Sequence, residues 1–272
     1  MNNMPESPLK KKIREKKNIF GTMTRNLVAP IIIPALDKCG VDFLVVDQEH
    51  GPSTMISLQT LLIVAKKYEV SILVRPPSIS YENIAKYLDL GVDGLMIPHV
   101  DTLEQIKEII KYSQYPPNGS RGYGMTRSLS SWYEGENRQQ YIQKANENTV
   151  LFIQVESQIA AENIGDLLSN DSIDGVIVGP ADFSMDLGVI GDYTNKRLIK
   201  FLDHVLKTCK KKEKSFGIHF GDPALIKDWK KKGMNILMYG NLLGAMKNHY
   251  KNTIQQFTPK KNNQNDPSNA QY

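Results

Sequence analysis

Cysteine is scarce. Cys39 and Cys209 are the only two among 272 residues, far apart and in no metal-binding spacing. There is no disulfide framework to read, and the expectation is a reduced, cytoplasmic protein. A chain of this length buries most of its unfolded surface and folds without such staples. Long apolar runs are missing too. No stretch of 18 apolar residues occurs, which leaves no candidate membrane span. The N-terminus is polar and basic with no apolar segment behind it, so no signal peptide is expected. At 40% hydrophobic residues, the composition lies slightly below the usual globular range and well clear of disorder.

The net charge of +5 is local rather than general. Lys10, Lys11, Lys12, Arg14, Lys16 and Lys17 crowd the start, and Lys210, Lys211, Lys212 and Lys214 form a second group. Such runs read either as a patch for nucleic acid or membrane, or as solvated helix surface and a basic tail. No aromatic residues interleave with the lysines and no nucleic-acid motif accompanies them. The second reading is therefore preferred, with neither nucleic acid nor membrane as a partner. Residues 1–12 are expected to form a flexible basic tail. Residues 258–272 carry Asn, Gln and Pro without an apolar anchor and are expected to be a disordered polar tail. Residues 13–257 remain as one domain.

Within that domain, short apolar runs alternate with longer amphipathic stretches. The expected strands are Ile19–Met23, Asp42–Asp47, Ser71–Arg75, Gly94–Pro98, Thr149–Glu156, Gly175–Val178, Ser215–His219 and Asn235–Tyr239. Most are continuously apolar, as parallel strands covered on both faces are. Helical stripes fall between them, at Leu58–Tyr68, Tyr81–Leu90, Leu103–Tyr112 and Leu198–Lys211. Eight strands alternating with helices predict an α/β fold, a closed (β/α)8 barrel, which typically takes roughly 250 residues. A doubly wound sheet is the alternative, but no Gly-x-Gly-x-x-Gly opens a helix after any strand. The segment Ala29–Leu36 is β-branched like a strand, yet Pro30 and Pro34 suit a helix start better. It is read as the first barrel helix.

In such a barrel the active site lies at the C-terminal ends of the strands. The residues there are Asp47-Gln48-Glu49-His50 after the second run, Arg75 after the third, His99 after the fourth and Gln154-Val155-Glu156 after the fifth. Gly179-Pro180-Ala181-Asp182 follows the sixth, His219 ends the seventh and Gly240-Asn241 the eighth. None of these ends carries a lysine, which a Schiff-base aldolase requires. A metal ion as electron sink is the expectation instead. Glu156 and Asp182 supply hard oxygen ligands, of which Mg²⁺ typically takes one or two. His50 is the candidate base, Asp47 a candidate to orient it, and Arg75 a fixed cationic fork for a carboxylate or oxyanion. Each has a plainer reading: a surface pair for Asp47 and His50, a helix-dipole acid for Glu156, a helix cap for Asp182. His99 and His219 are read as lining residues.

Six segments in order carry a family resemblance. They are Val-Asp-Phe-Leu-Val-Val-Asp-Gln-Glu-His-Gly-Pro (41–52), Val-Arg-Pro (74–76), Leu-Asp-Leu-Gly-Val-Asp-Gly-Leu-Met-Ile-Pro (88–98), Ser-Arg-Gly-Tyr-Gly (120–124), Gln-Val-Glu (154–156) and Asp-Gly-Val-Ile-Val-Gly-Pro-Ala-Asp-Phe-Ser (174–184). With these the chain resembles the HpcH/HpaI aldolases, metal-dependent pyruvate aldolases, from about residue 19 to residue 250. The resemblance implies a pyruvate-binding (β/α)8 barrel whose last helix swaps between partners in a homo-oligomer. It implies a lyase acting on a 4-hydroxy-2-oxo acid, with pyruvate and an aldehyde as partners and Mg²⁺, Mn²⁺ or Co²⁺ as cofactor. By motif it implies His50 as base with Asp47 beside it, Arg75 at the enolate oxygen, and Glu156 and Asp182 on the metal. Gln154, Gly179 and the backbone at Ala181 and Asp182 would hold the pyruvyl unit. Asp89 would act from a neighbouring subunit. The chain departs from the family's pattern at Gly217–Asp222 and at Asn241, so the acceptor aldehyde is open. Other readings are a synthase using the same enolate, as macrophomate synthase does, and a citrate-lyase-β-like enzyme, which lacks the Asp-x-Glu-His signature. A barrel that binds without catalysing is the last.

Overall fold

The computed structural model describes residues 6–124 and 137–258. Eight parallel strands close into a barrel in sequence order. They are β1 (Ile19–Thr24), β2 (Phe43–Asp47), β3 (Ser71–Arg75), β4 (Gly94–Ile97), β5 (Val150–Val155), β6 (Gly175–Val178), β7 (Ser215–Phe220) and β8 (Ile236–Asn241). Helix α1 (Pro8–Arg14) precedes the barrel. Around it run α2 (Ile32–Lys38), α3 (Met55–Ala65), α4 (Tyr81–Leu90), α5 (Leu103–Ser113), α6 (Arg138–Asn148), α7 (Gln158–Glu162) and α8 (Ile164–Leu167). They continue as α9 (Pro180–Asp186), α10 (Lys196–Lys211), α11 (Pro223–Lys232) and α12 (Leu242–Gln255). Among the described residues no helix is long and apolar enough to cross a membrane.

The strands divide their side chains between two cores by simple alternation. Met23, Phe43, Val45, Leu73, Met96, Phe152, Ile177, Ile236 and Met238 fill the barrel. Their neighbours Leu44, Val46, Ile72, Val74, Leu95, Ile97 and Ile153 face the helices. The continuous apolar runs are thus two interleaved faces, both covered. Continuing the inward alternation toward the strand ends brings Asp47, Arg75, Gln154, Gly179 and His219 to the top layer.

The opposite rim is built by a device repeated four times. Asp42, Asp93, Asp174 and Asn235 stand just before β2, β4, β6 and β8. Each side chain accepts a hydrogen bond from a backbone N–H of the preceding strand: Phe20 (2.6 Å), Ile72 (2.7 Å), Leu151 (2.8 Å) and Phe216 (2.9 Å). Their backbone carbonyls accept from Ser71, Val150, Ser215 and Ile19, which links all eight strands into a ring.

Residues 8–12, expected to be tail, belong instead to α1. Ser7 caps it, with Oγ accepting from the Lys10 N–H, and Pro8 occupies its first turn. Leu9 and Ile13, one turn apart, are buried with Ile19, Phe43 and Ile236 and close the bottom of the barrel. The basic residues have partners: Lys10 Nζ lies 2.8 Å from Asp174 and Lys12 Nζ 2.5 Å from Asp42. The charge run masked an amphipathic turn whose lysines answer the rim carboxylates. Residues 1–5 and 259–272, the greater part of the two expected tails, lie outside the described residues. The first barrel helix, read as Ala29–Leu36, starts two residues after Pro30. Pro34 sits in its first turn, where the missing N–H costs no intrahelical bond.

If α1 closes the barrel, Ile13→Ala will lower the unfolding free energy by about 2–5 kcal/mol, the usual cost of such a truncation. Lys11→Ala, on the exposed side of α1, will change it by less than about 0.5 kcal/mol. Urea denaturation compares the two, and equal small effects would restore the flexible tail.

Candidate active site

Asp47 ends β2 and Arg75 ends β3, and the two are register partners across the sheet. Both project into the top layer, so the side chains meet there. Arg75 Nε lies 3.0 Å from Asp47 Oδ1 and Nη2 lies 2.7 Å from Oδ2, a two-pronged pair. The Asp47 side chain is 0% exposed and that of Arg75 5%. Asp47 accepts three further bonds: Arg25 Nε at 2.9 Å, and the backbone N–H groups of Glu49 at 3.1 Å and His50 at 3.2 Å. Burial pushes the Asp47 pKa up, but the Arg75 bonds and charge outweigh it and hold the carboxyl below its ordinary value. Arg75 is held above its own for the reciprocal reason.

Asp47 therefore meets His50 at the backbone and not at the ring. Its bonds to two successive N–H groups fold the 48–51 turn tightly. A Cβ on Gly51 would lie 2.1 Å from the Asp47 carbonyl oxygen, so only glycine fits. The turn leaves the His50 side chain 56% exposed, with Nε2 3.9 Å from Glu49 Oε1. Glu49 turns inward instead, 3.1 Å from Arg75 Nε and 2.8 Å from His99 Nε2.

Glu156 follows β5 and is buried. The Gln154 amide donates to its Oε1 and the His99 backbone N–H to its Oε2 at 3.2 Å. The His99 backbone is left-handed, with φ 55°, which is what aims this N–H at the carboxylate. Burial, foremost, raises the Glu156 pKa to about 7. His99 pulls it down, and the neighbouring Asp182 charge pushes it up. Gly179 packs against this pair. A Cβ there would come within 2.6 Å of Glu156 Oε1 and 2.8 Å of Gln154 Nε2. Gln154 Oε1 is buried without a hydrogen-bond partner among the described residues.

Of these groups, Arg25, His50, Arg75, Gln154 and Gly179 line a cavity of about 390 Å³, together with Pro180, Ala181, Asp182 and His219; Asp47, Glu49, His99 and Glu156 do not line it. No lysine lines it among the described residues. Nor does any group of three or more His, Cys, Asp or Glu side chains stand ready for a metal there. A metal would rest on two carboxylates, Glu156 and Asp182. The observations suit that: a carboxylate whose pKa burial raises to about 7, with the Asp182 charge beside it, next to a buried amide oxygen with no donor among the described residues.

A family model described as HpcH/HpaI aldolase/citrate lyase matches residues 25–245. The chain belongs to that family. It is similar to a 2-keto-3-deoxy-L-rhamnonate aldolase of Salmonella typhi, 31% identical over 88% of this chain and 89% of the other. A hydroxypyruvate/pyruvate aldolase of Deinococcus radiodurans is 32% identical over 74% of this chain and 72% of the other. The crystal structure of an HpcH/HpaI aldolase from Desulfitobacterium hafniense DCB-2 superposes with a TM-score of 0.87. It is 28% identical and covers 93% of this chain and 98% of that one.

Against the family's pattern, one expected residue stands apart. Asp89 is the penultimate residue of α4, which runs from the mouth back to the N-terminal rim, so in its own chain it lies at the far end of the barrel. There Arg121 Nη2 meets its Oδ1 at 2.5 Å. Two residues that do join the site were given no role from sequence. Arg25 directly follows β1 and falls under the same strand-end rule. Glu49 stands in the Asp47–His50 segment, where only its inward turn distinguishes it from His50.

Because Arg75 is buried against it, Asp47→Asn will cost about 3 kcal/mol of stability at pH 7. Arg25→Gln, at a side chain that is itself half exposed, will cost less than about 1 kcal/mol. The Asp47 contribution is present above its unfolded pKa of 3.8 and is lost as pH falls through its lower folded value. Urea titrations of both variants at pH 7 check this, and similar small losses would contradict the buried-pair account.

Proposed function

We propose that this HpcH/HpaI family member is a cytoplasmic, divalent-metal-dependent aldolase that makes or breaks a carbon–carbon bond between pyruvate and an aldehyde. The observation that carries the reading is the grouping at one mouth of the Arg75 fork held by Asp47, the exposed His50 imidazole and the buried Glu156 carboxylate. The absence of lysine among the described lining residues fits a reaction without an imine.

Arg75 is oriented toward the cavity by Asp47 and has its charge available to the oxygen of a 2-oxo acid as it becomes an enolate. Ala181 and Asp182 open the first turn of α9, where backbone N–H groups have no intrahelical acceptor, and these suit the substrate carboxylate. Glu156 and Asp182 would hold a divalent cation, which supplies Lewis-acid stabilisation of the enolate when bound. In the cleavage direction His50 takes the proton of the 4-hydroxyl as the C3–C4 bond breaks, and the electron pair remains on C3. Protonation of C3 then gives the pyruvate methyl group. In the other direction His50 removes a methyl proton and C3 attacks the aldehyde carbon.

Assembly follows from α12. None of its side chains is buried, and Leu243, Met246, Tyr250, Ile254 and Phe257 form one exposed apolar stripe at helical spacing. A second copy of the chain is its proposed cover, which would also bring a neighbour's Asp89 within reach of the mouth.

Three measurements test these points. His50→Ala will slow deuterium exchange into the pyruvate methyl group in D₂O by about 10²–10⁴-fold, while retaining pyruvate binding. Exchange at the wild-type rate would place the base elsewhere. Cation affinity, measured by calorimetry with Mg²⁺ or Mn²⁺, will rise with pH up to about 7 as Glu156 loses its proton and level off above. A pH-independent affinity that survives Glu156→Gln would remove the metal from this position. Light scattering at micromolar concentration will report an oligomer that Ile254→Asp dissociates, and a monomeric wild type contradicts the α12 interface.

A further inference from the structure

β7 enters the mouth with a residue the aldolase reading does not use. Phe216, Ile218 and Phe220 lie in the outer core, so Ser215, Gly217 and His219 are the inward positions. His219 stands in the top layer and lines the same cavity as Arg75 and Gln154. Strand order gives this cavity two sides. β3, β5 and the β6 end supply Arg75, Gln154, Ala181 and Asp182, the side assigned to the 2-oxo acid. β7 and the β8 end supply His219 and Asn241 on the other.

One bond determines the state of the His219 ring. Nε2 lies 2.7 Å from the carbonyl oxygen of Gly240. A carbonyl only accepts, so Nε2 carries the hydrogen and Nδ1 carries the lone pair. Burial holds the ring's pKa below the ordinary histidine value, which keeps that tautomer neutral at pH 7. Among the described residues no donor meets Nδ1; the Gly240 bond is the ring's one hydrogen bond. Asn241 contributes a second oriented group. Its Oδ1 caps α12, 2.8 Å from the Gly244 N–H, which leaves its NH₂ as the available end.

We infer that His219 selects the acceptor aldehyde, its Nδ1 accepting a hydrogen bond from a hydroxyl group next to the aldehyde carbon. The inference rests on the aldolase reading above and assigns a specificity-determining residue to its unassigned half-site. An aldehyde with a methyl group in place of the hydroxyl leaves the nitrogen unpaired in the half-buried cavity wall. A site arranged around a hydrogen bond discriminates against such a ligand more strongly than an apolar pocket does.

The test is a competition between glycolaldehyde and propionaldehyde, which differ by hydroxyl against methyl, for pyruvate in the presence of Mg²⁺. Mass spectrometry reads the ratio of the two adducts. Comparing variants with wild type cancels the intrinsic difference in reactivity. His219→Leu, similar in bulk without an acceptor, will lower the glycolaldehyde preference about tenfold, mainly through KM. His219→Asn, which offers an amide oxygen near the Nδ1 position, will keep most of it. A ratio within about twofold of wild type in His219→Leu, or an equal fall in both variants, overturns the inference. Absence of methyl exchange in wild-type enzyme overturns the aldolase reading and this inference together, whereas exchange with an unaltered ratio overturns the inference alone.

Discussion

The Asp47–Arg75 pair organises the mouth of the barrel. Two residues in register on adjacent strands place opposite charges in a dry layer, where each is tolerated only because of the other. The five donors on Asp47 then do several things at once. They orient the Arg75 fork, draw in Arg25 from the end of β1, and fold the turn that carries Glu49 inward and His50 outward. The position of the candidate base is thus a consequence of a carboxylate that never touches its ring.

The two ends of the barrel use carboxylates differently. At the N-terminal rim, Asp42, Asp93 and Asp174 are occupied by backbone N–H groups, and Asp42 and Asp174 also by the lysines of α1, so their role is to join strands. At the C-terminal end, Glu156 is left with a proton affinity displaced to about 7 and Gln154 with an idle oxygen. Rim carboxylates occupied by strand N–H groups at one end, and an unpaired Gln154 oxygen beside Glu156 at the other, fit the division between stability and chemistry in this architecture.

Much of this is legible in the chain. The eight apolar runs are visible because both faces of each strand are covered, and the residues that follow them identify the mouth directly. Asp47, Arg75, Gln154, Glu156, Gly179, Asp182 and His219 are found by that rule alone. Where reading the chain fell short, local pattern and long-range pairing disagreed. The lysines around Leu9 and Ile13 look like a solvated tail until Asp42 and Asp174 are seen beneath them. The rim motif is not visible along the chain because its four copies lie 51, 81 and 61 residues apart and are related only by the barrel's closure.

Partner choice marks the boundary. Spacing along the chain puts Asp47 three residues from His50 and suggests that the carboxylate orients the ring. The fold gives it Arg75 instead, 28 residues on, because inward-facing register partners meet in the interior while the turn carries His50 outside. The histidine at the end of β7 is likewise visible in the sequence, but its tautomer is not. That depends on a carbonyl 21 residues away on the adjacent strand. The order of residues was enough to predict the barrel and the chemical groups that gather at its C-terminal mouth. Which group faces which, and in what protonation state, arises only when strand pairing and burial bring distant residues into a shared, water-poor layer.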